Sequence, residues 1–136
     1  MKKILITGSE GFIGSHLTEY LLQKKYKISA LVYYNSFQSN GWLDNIEPKL
    51  FKKINIIYGD LRDKSFLIEI SKKHDAIIHL GALIAIPYSY VAPDSYVQTN
   101  ILGTLNILEA CRLNKIKKII LASSIYALSE QGKFYS

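Results

Sequence analysis

The sequence has 136 residues and a net charge of +6, with 49% hydrophobic and 21% charged residues. This length suits one domain with its own hydrophobic core, and no apolar stretch is long enough to span a bilayer. The lysines lie in scattered pairs rather than in one stripe, which argues against a nucleic-acid partner. The single cysteine, Cys111, excludes an intrachain disulfide and a cysteine-rich zinc site, so we predict no metal centre.

The chain begins with a methionine, two lysines and an apolar run at residues 4–6. This run is shorter than the apolar region of a signal peptide, and it ends at Gly8. We therefore expect a cytoplasmic protein with no targeting segment and no membrane partner.

The apolar run 4–6 predicts a strand, and the sequence TGSEGFIG at residues 7–14 then leads into a helical pattern over 12–24. Spaced glycines allow a sharp turn, a close approach of backbone N–H groups to a ligand, and tight packing of the helix on the strand. The start of a helix favours anions, so we predict a pyrophosphate site here; an ordinary strand-to-helix turn is the alternative. The expected cofactor-binding residues of this turn are Gly8, Glu10, Gly11, Phe12, Ile13 and Gly14.

The rest of the chain alternates between strand and helix patterns, with a helical turn around residues 42–46 and a loop at 81–93. In the last helix, apolar residues recur at helical spacing, and we expect that face to pack on the sheet; they are Val97, Ile101, Leu105 and Leu108. The further strands are expected at residues 27–33, 54–58, 75–80 and 118–122, and the further helices at residues 64–72 and 94–114.

Five strands alternating with helices predict a parallel sheet with right-handed crossovers, that is, a doubly wound α/β fold. In such a sheet a ligand binds at the carboxyl ends of the strands where the strand order reverses, here between the first and fourth strands. Polar or small residues follow every predicted strand, which places all five strand ends around one crevice.

Five motifs follow one another along the chain: TGSEGFIGSHL at 7–17, YGDLRD at 58–63, HLGAL at 79–83, YVQTNILGTLNILEAC at 96–111 and LASS at 121–124. By these motifs the chain resembles the extended short-chain dehydrogenase/reductases of the NAD(P)-dependent epimerase/dehydratase type. The segment PYSYVAPDSYVQTN is most similar to the nucleotide-sugar branch of that family, whose members are epimerases and 4,6-dehydratases. The resemblance implies a Rossmann fold over residues 1–136, an NAD or NADP cofactor and a nucleotide-sugar substrate.

By this resemblance, Asp60 accepts a hydrogen bond from the adenine amine and Leu61 packs beside the ring. Gly81 and Ala82 follow the fourth strand in the cofactor crevice, and Asn100 holds backbone near the active site. A turn residue or helix cap is the alternative for Asp60, and a solvated side chain is the alternative for Asn100.

The second strand lacks the acidic residue that grips the ribose hydroxyls in NAD-preferring members, because Val32 occupies that position. Asn35 and Ser36, in the loop that follows, could donate to a 2′-phosphate, but this loop contains no arginine. The sequence therefore predicts a slight preference for NADP over NAD.

Catalysis in the family uses a Ser or Thr after the fifth strand and a Tyr-x-x-x-Lys helix, which Ser124 and Tyr135 would match. The lysine would fall beyond residue 136, and without it a tyrosine of pKa about 10 is a poor base at neutral pH. The dehydratases carry an Asp-Glu pair after the catalytic Ser or Thr, whereas this chain has Ile125 and Tyr126. An epimerase or reductase is therefore better supported than a working dehydratase.

Family members continue with further strands and a C-terminal domain that holds the nucleotide-sugar. We therefore expect a truncated or complemented chain whose substrate domain is missing, and which binds the cofactor without turnover when it is alone. A non-catalytic dinucleotide-binding module is the alternative function. In this family a pair of long helices often forms a homodimer, and the helix at 94–114 could serve.

Overall fold

The computed structural model of the chain describes residues 2–123. Its centre is a five-stranded parallel sheet in the order β3-β2-β1-β4-β5. The strand order therefore reverses between β1 and β4, as the sequence predicted. The strands are Lys3–Thr7 (β1), Lys27–Tyr33 (β2), Asn55–Gly59 (β3), Ala76–His79 (β4) and Ile119–Leu121 (β5).

Helices connect the strands and cover both faces of the sheet. A 3₁₀ turn at Gly41–Asn45 follows β2. The helices are Phe12–Gln23 (α1), Pro48–Phe51 (α2), Lys64–Ser71 (α3), Ile86–Val91 (α4), Pro93–Tyr96 (α5) and Gly103–Leu113 (α6). A π-helical segment at Val97–Leu102 joins α5 to α6, so residues 93–113 form one continuous long helix.

The hydrophobic core lies in two layers, one on each face of the sheet. On one face, Leu5 and Ile77 of the strands pack with Leu67 of α3 and Ile107 of α6. On the other face, residues of β1 and β2 pack with Leu22 of α1 and with the segment that follows β2. Burial on both faces explains why these strands read as continuous apolar runs in the sequence.

The structure corrects the predicted packing face of the long helix. The side chains expected on the sheet are each 40% or more exposed, and the buried residues of α6 include Gly103, Ile107 and Cys111 instead. The helix carries a second apolar face, with Ile107, Ala110 and Cys111, and this face is the one that packs in the core on the sheet. The exposed set is Val97, Ile101, Leu105 and Leu108.

The segment at residues 81–93 also differs from the prediction of a plain loop, because it contains the short helix α4. Pro87 lies in the first turn of α4, where a missing N–H costs nothing. The helix carries Tyr88 to the edge of the cleft described below. None of the helices in the described residues is long and apolar enough to cross a membrane.

Candidate functional site

A cleft of about 410 Å³ opens at the carboxyl ends of β1, β2, β3 and β4. Six of the residues that the sequence assigned to the cofactor line it, namely Gly8, Glu10, Asp60, Leu61, Gly81 and Ala82. Its other lining residues are Leu31, Tyr33, Gly59, Arg62, Leu83, Tyr88, Ser95 and Thr99. The cleft has the size and position of a cofactor site in a doubly wound fold.

The glycine turn that floors the cleft has no room for larger residues at two of its three glycines. Gly8 has φ +68°, and a Cβ there would lie 2.7 Å from the backbone nitrogen of Gly81. A Cβ on Gly14 would lie 2.1 Å from the carbonyl oxygen of Gly8. At Gly11 a Cβ would meet only that same oxygen, at 3.4 Å, so this position is open.

The first turn of α1 presents backbone N–H groups toward an anion. Gly11 is the N-cap of this helix, so no side chain caps it, and its first turn contains no acidic residue. The first intrahelical bond runs from Ser15 N–H to the Gly11 carbonyl at 2.9 Å. Phe12 and Ile13 have exposed side chains and do not line the cleft, so their part in anion binding would be through the backbone.

Glu10 ties the glycine turn to the end of β2. Its Oε1 accepts a hydrogen bond from the Tyr33 N–H at 2.9 Å, and its carbonyl accepts one from the Trp42 N–H at 2.9 Å. Its Oε2 is buried and has no hydrogen-bond partner in the described part of the chain. A carboxylate oxygen therefore lies at the carboxyl end of β2, although the strand supplies none.

The structure gives Asn35 a role different from the one predicted. Its amide donates to the carbonyls of Tyr33, at 3.2 Å, and of Ser39, at 2.8 Å, while its Oδ1 accepts from the Ser39 N–H. Both amide hydrogens are thus used to shape the loop after β2, and neither is free for a 2′-phosphate. Neither Asn35 nor the exposed Ser36 lines the cleft.

Asp60 and Arg62 form an ion pair at the end of β3. The guanidinium of Arg62 contacts the carboxylate of Asp60 at 2.5 Å and lowers the pKa of that carboxyl, chiefly through side-chain hydrogen bonds. Arg62 also reaches the hydroxyl of Tyr33 at 3.5 Å. Sequence reasoning missed Arg62 because it considered only the loop after β2, whereas this cation arrives from the neighbouring strand.

Leu61 lies between two glycines that leave space for it. A Cβ on Gly81 would come within 2.8 Å of its Cδ1, and a Cβ on Gly103 would come within 3.0 Å of its Cβ. The backbone of Leu61 is also held by Asn106, whose amide donates to the Leu61 carbonyl at 3.0 Å. The long helix thereby sets the position of the wall on which a ring would pack.

Asn100 fixes the loop that follows β4. Its Oδ1 accepts a hydrogen bond from the Leu83 N–H at 2.8 Å, and its Nδ2 donates to the Leu83 carbonyl at 2.9 Å. Asn100 lies in the π-helical segment, a feature that often marks functional sites. It does not line the cleft, and its amide holds the backbone of Leu83 in this loop.

His79 connects β1, β4 and the long helix beneath the cleft. Its Nδ1 is 2.6 Å from the Thr7 hydroxyl, and its Nε2 is 3.0 Å from the Thr104 hydroxyl. The Thr7 hydroxyl also accepts from the Gly81 N–H at 3.1 Å. Burial lowers the pKa of His79 to about 4, so the ring is neutral at physiological pH. It is therefore the buried, hydrogen-bonded histidine that its place inside a strand suggests.

The far wall of the cleft carries polar side chains that sequence reasoning did not assign. Ser95 and Thr99 lie four residues apart on one face of the long helix, and Tyr88 extends from α4. Their spacing of four residues within a predicted helix is the sequence signal that could have identified them as one polar face. The predicted catalytic residues Ser124 and Tyr135 lie outside the described residues.

Comparison with known proteins decides the family. The family model described as GDP-mannose 4,6-dehydratase matches residues 5–127, which is most of the chain. The chain belongs to this family of nucleotide-sugar epimerases and dehydratases.

Individual relatives agree with the family assignment. The chain is 37% identical to the dTDP-D-glucose 4,6-dehydratase of Dictyostelium discoideum, over 91% of this chain and 29% of that protein. The structure of a UDP-N-acetylglucosamine 4-epimerase from Methanobrevibacter ruminantium, in complex with UDP-N-acetylmuramic acid, is 34% identical with a TM-score of 0.80, covering 98% of this chain and 44% of that one.

A second solved structure contains a dinucleotide. The UDP-glucose 4-epimerase of Bifidobacterium longum, in complex with NAD⁺ and UDP, is 28% identical with a TM-score of 0.80, covering 95% of this chain and 39% of that one. The chain thus spans less than half of the length of each of these three proteins.

Proposed function

We propose that residues 1–136 are an NAD(P)-binding domain that serves a nucleotide-sugar epimerase or related oxidoreductase. The observation that carries this proposal is the cleft at the β1–β4 switch point, which combines the glycine turn with an α1 N-terminus that no side chain caps. Family membership supports the reaction class, and the NAD⁺ complex of the B. longum epimerase supports the cofactor class.

The described residues fit a dinucleotide. Gly8 and Gly14 leave space that a Cβ would fill, so a pyrophosphate can approach the backbone N–H groups of α1. Asp60 and Leu61 would hold the adenine, and Gly81 with Ala82 would leave room for the rest of the cofactor. When bound, the nicotinamide would accept a hydride from a sugar carbon and return it.

The catalytic assignment rests on the resemblance alone. Ser124 would hydrogen-bond the reacting sugar oxygen, and Tyr135 would take its proton. Ser95, Thr99 and Tyr88, on the far wall, are available to contact a second ligand such as a nucleotide-sugar. The cytoplasmic location stays a prediction.

Protection of the fold by cofactor tests the proposal. We expect NAD or NADP to raise the free energy of unfolding of the 136-residue chain by about 2.7 kcal/mol at a hundredfold excess over the dissociation constant. Thermal unfolding over a ligand series measures this effect. Absence of protection by both dinucleotides at millimolar concentration would remove the cofactor assignment.

A matched pair of variants tests whether the ligand binds in the cleft. Ala82 and Ala85 are both exposed residues of the segment after β4, but only Ala82 lines the cleft. Ala82→Glu introduces a carboxylate beside the dinucleotide and should abolish protection, whereas Ala85→Glu should keep it. Equal protection of the two variants would place the ligand elsewhere.

Turnover of UDP-sugars by the chain would then separate an enzyme from a non-catalytic binding module.

We also propose a homodimer through the long helix. The stripe formed by Val97, Ile101, Leu105 and Leu108 is apolar and exposed in the described part of the chain. This stripe packs against the same stripe of a second copy of the chain, because a self-complementary surface can pair with itself around a two-fold axis. Sedimentation of the chain tests this proposal. A chain that is still monomeric at about 100 µM, a concentration at which even a weak dimer would be populated, would contradict it.

A further inference from the structure

We propose that Glu10, in the glycine turn, binds the adenosine ribose hydroxyls and thereby selects NAD over NADP. This inference rests on the proposed dinucleotide binding. It reverses the slight preference for NADP that the sequence predicted from the absence of an acidic residue in β2.

The second strand cannot supply the carboxylate at the expected position, because Val32 does not face the cleft. Val32 is 1% exposed and packs with Leu43 and Ile46 in the core. The strand residues that do line the cleft are Leu31 and Tyr33, and neither is acidic. The acidic group at this strand end therefore has to come from another element.

Glu10 supplies that group, and three contacts hold it in place. Its Oε1 accepts from the Tyr33 N–H, the last residue of β2, and its carbonyl accepts from the Trp42 N–H. Gly41 packs so closely on it, with φ +58°, that a Cβ there would lie 2.5 Å from the Glu10 carbonyl oxygen. The position of the side chain is thus set by the fold before any ligand binds.

The second carboxylate oxygen of Glu10 lacks a hydrogen-bond donor within residues 2–123. Oε2 is buried, Glu10 lines the cleft, and this oxygen has no partner among the described residues. A buried acceptor without a donor is costly, so a ligand that brings a donor gains affinity there. In a doubly wound fold the ribose of a dinucleotide lies beside the end of β2, and its hydroxyls are such donors.

The charges around this point disfavour a 2′-phosphate. The charged side chains that line the cleft, within residues 2–123, are Glu10, Asp60 and Arg62. Arg62 is the cation that could attract a phosphate, but its guanidinium is paired with Asp60 and reaches only the hydroxyl end of Tyr33. Within residues 2–123 Glu10 forms no ion pair with a cation, and its charge would repel a phosphate placed on the ribose.

Binding of cofactors to the wild-type chain and to Glu10→Gln tests the proposal by titration calorimetry. Glutamine keeps an acceptor for the Tyr33 N–H, removes the charge and puts an amide donor in place of Oε2. We expect the wild type to bind NAD more tightly than NADP, and Glu10→Gln to lower the ratio of the two affinities roughly tenfold or more. Glu69→Gln is the matched control, since Glu69 lies on α3, pairs with Lys72 and does not line the cleft.

A ligand-side comparison does not depend on the folding of the variant. The wild type should bind AMP more tightly than 2′-deoxy-AMP or adenosine 2′,5′-bisphosphate, because only AMP offers the 2′-hydroxyl without added charge. A wild-type preference for NADP, or a ratio unchanged in Glu10→Gln, would overturn the proposal, and the first result would assign selection to Arg62. If neither dinucleotide binds the wild type, the proposed function itself fails together with this inference.

Discussion

The glycine turn can close only because Gly14 has no side chain. Gly14→Ala places a Cβ 2.1 Å from the Gly8 carbonyl oxygen, and both partners of this contact are backbone, so the turn has to open. Overpacking of this kind costs about 1–3 kcal/mol, and we expect the upper end or more because no flexible side chain can yield. The free energy of unfolding from urea denaturation measures the loss.

Gly11→Ala is the control for this prediction. Gly11 has φ −75° and ψ 170°, which any residue adopts, and an added Cβ meets only one atom at 3.4 Å. We expect a loss within about 1 kcal/mol. Equal destabilisation by the two substitutions would show that the tight packing of α1 on β1 is not what makes Gly14 necessary.

At the residue scale, the sequence predicts positions at which there is no room for a Cβ. It does not predict contacts between side chains that lie far apart in the chain. Gly8 and Gly14 could be predicted to leave no room for a side chain, because spaced glycines after a strand are typical of a tight strand-to-helix turn. The carboxylate of Glu10 could not be located at the end of β2, because its partner Tyr33 is 23 residues away. Arg62 was missed for the same reason, since its contact with Tyr33 joins two strand ends.

The long helix is the element for which sequence periodicity gave the wrong face. A regular 3.6-residue period assigns Val97 and Leu105 to the sheet, but the face that contains Ile107 and Cys111 is buried instead. A list of apolar positions does not tell which of two such faces packs on the sheet. The exposed stripe that results is nevertheless the surface that the proposed dimer needs.

We expect Leu105→Glu to convert the proposed dimer to a monomer. Leu105 is 50% exposed in the middle of the stripe, so a carboxylate there would be buried against its own symmetry mate. Sedimentation velocity over a concentration series gives the association constant. Leu113→Glu is the matched control, because Leu113 is 48% exposed but lies at the end of α6, away from the stripe. A dimer that survives Leu105→Glu would mean that the subunits meet through another surface.

For the molecule as a whole, alternation of strands and helices was enough to predict the topology. Right-handed crossovers leave few ways to order five parallel strands, and the switch point between β1 and β4 follows from the commonest of them. The position of the cleft could therefore be predicted before the position of any side chain was known. What the pattern could not show is the network of Thr7, His79 and Thr104 beneath it, because buried polar pairing depends on register between distant elements.

That network predicts how the stability of the whole fold depends on pH. Burial lowers the pKa of His79 from 6.5 to about 4, so between these values the unfolded chain binds more protons than the folded one. The contribution of His79 to stability is therefore complete above about pH 6.5 and is lost as the pH falls toward 4, by up to about 3 kcal/mol. Burial also lowers the pKa of His74, which adds a loss of the same sign.

Urea denaturation at several pH values between 7 and 4 measures this dependence, and His79→Gln isolates the contribution of one ring. Glutamine can still bond to Thr7 or Thr104 but does not titrate, so the variant should be less stable at pH 7 and should lose less stability on acidification. His74 and Asp60 are present in both proteins, and their contributions cancel in the difference between the two curves. Parallel curves would show that His79 is protonated as readily in the fold as in the unfolded chain, and would remove it as the acid-sensitive point beneath the cleft.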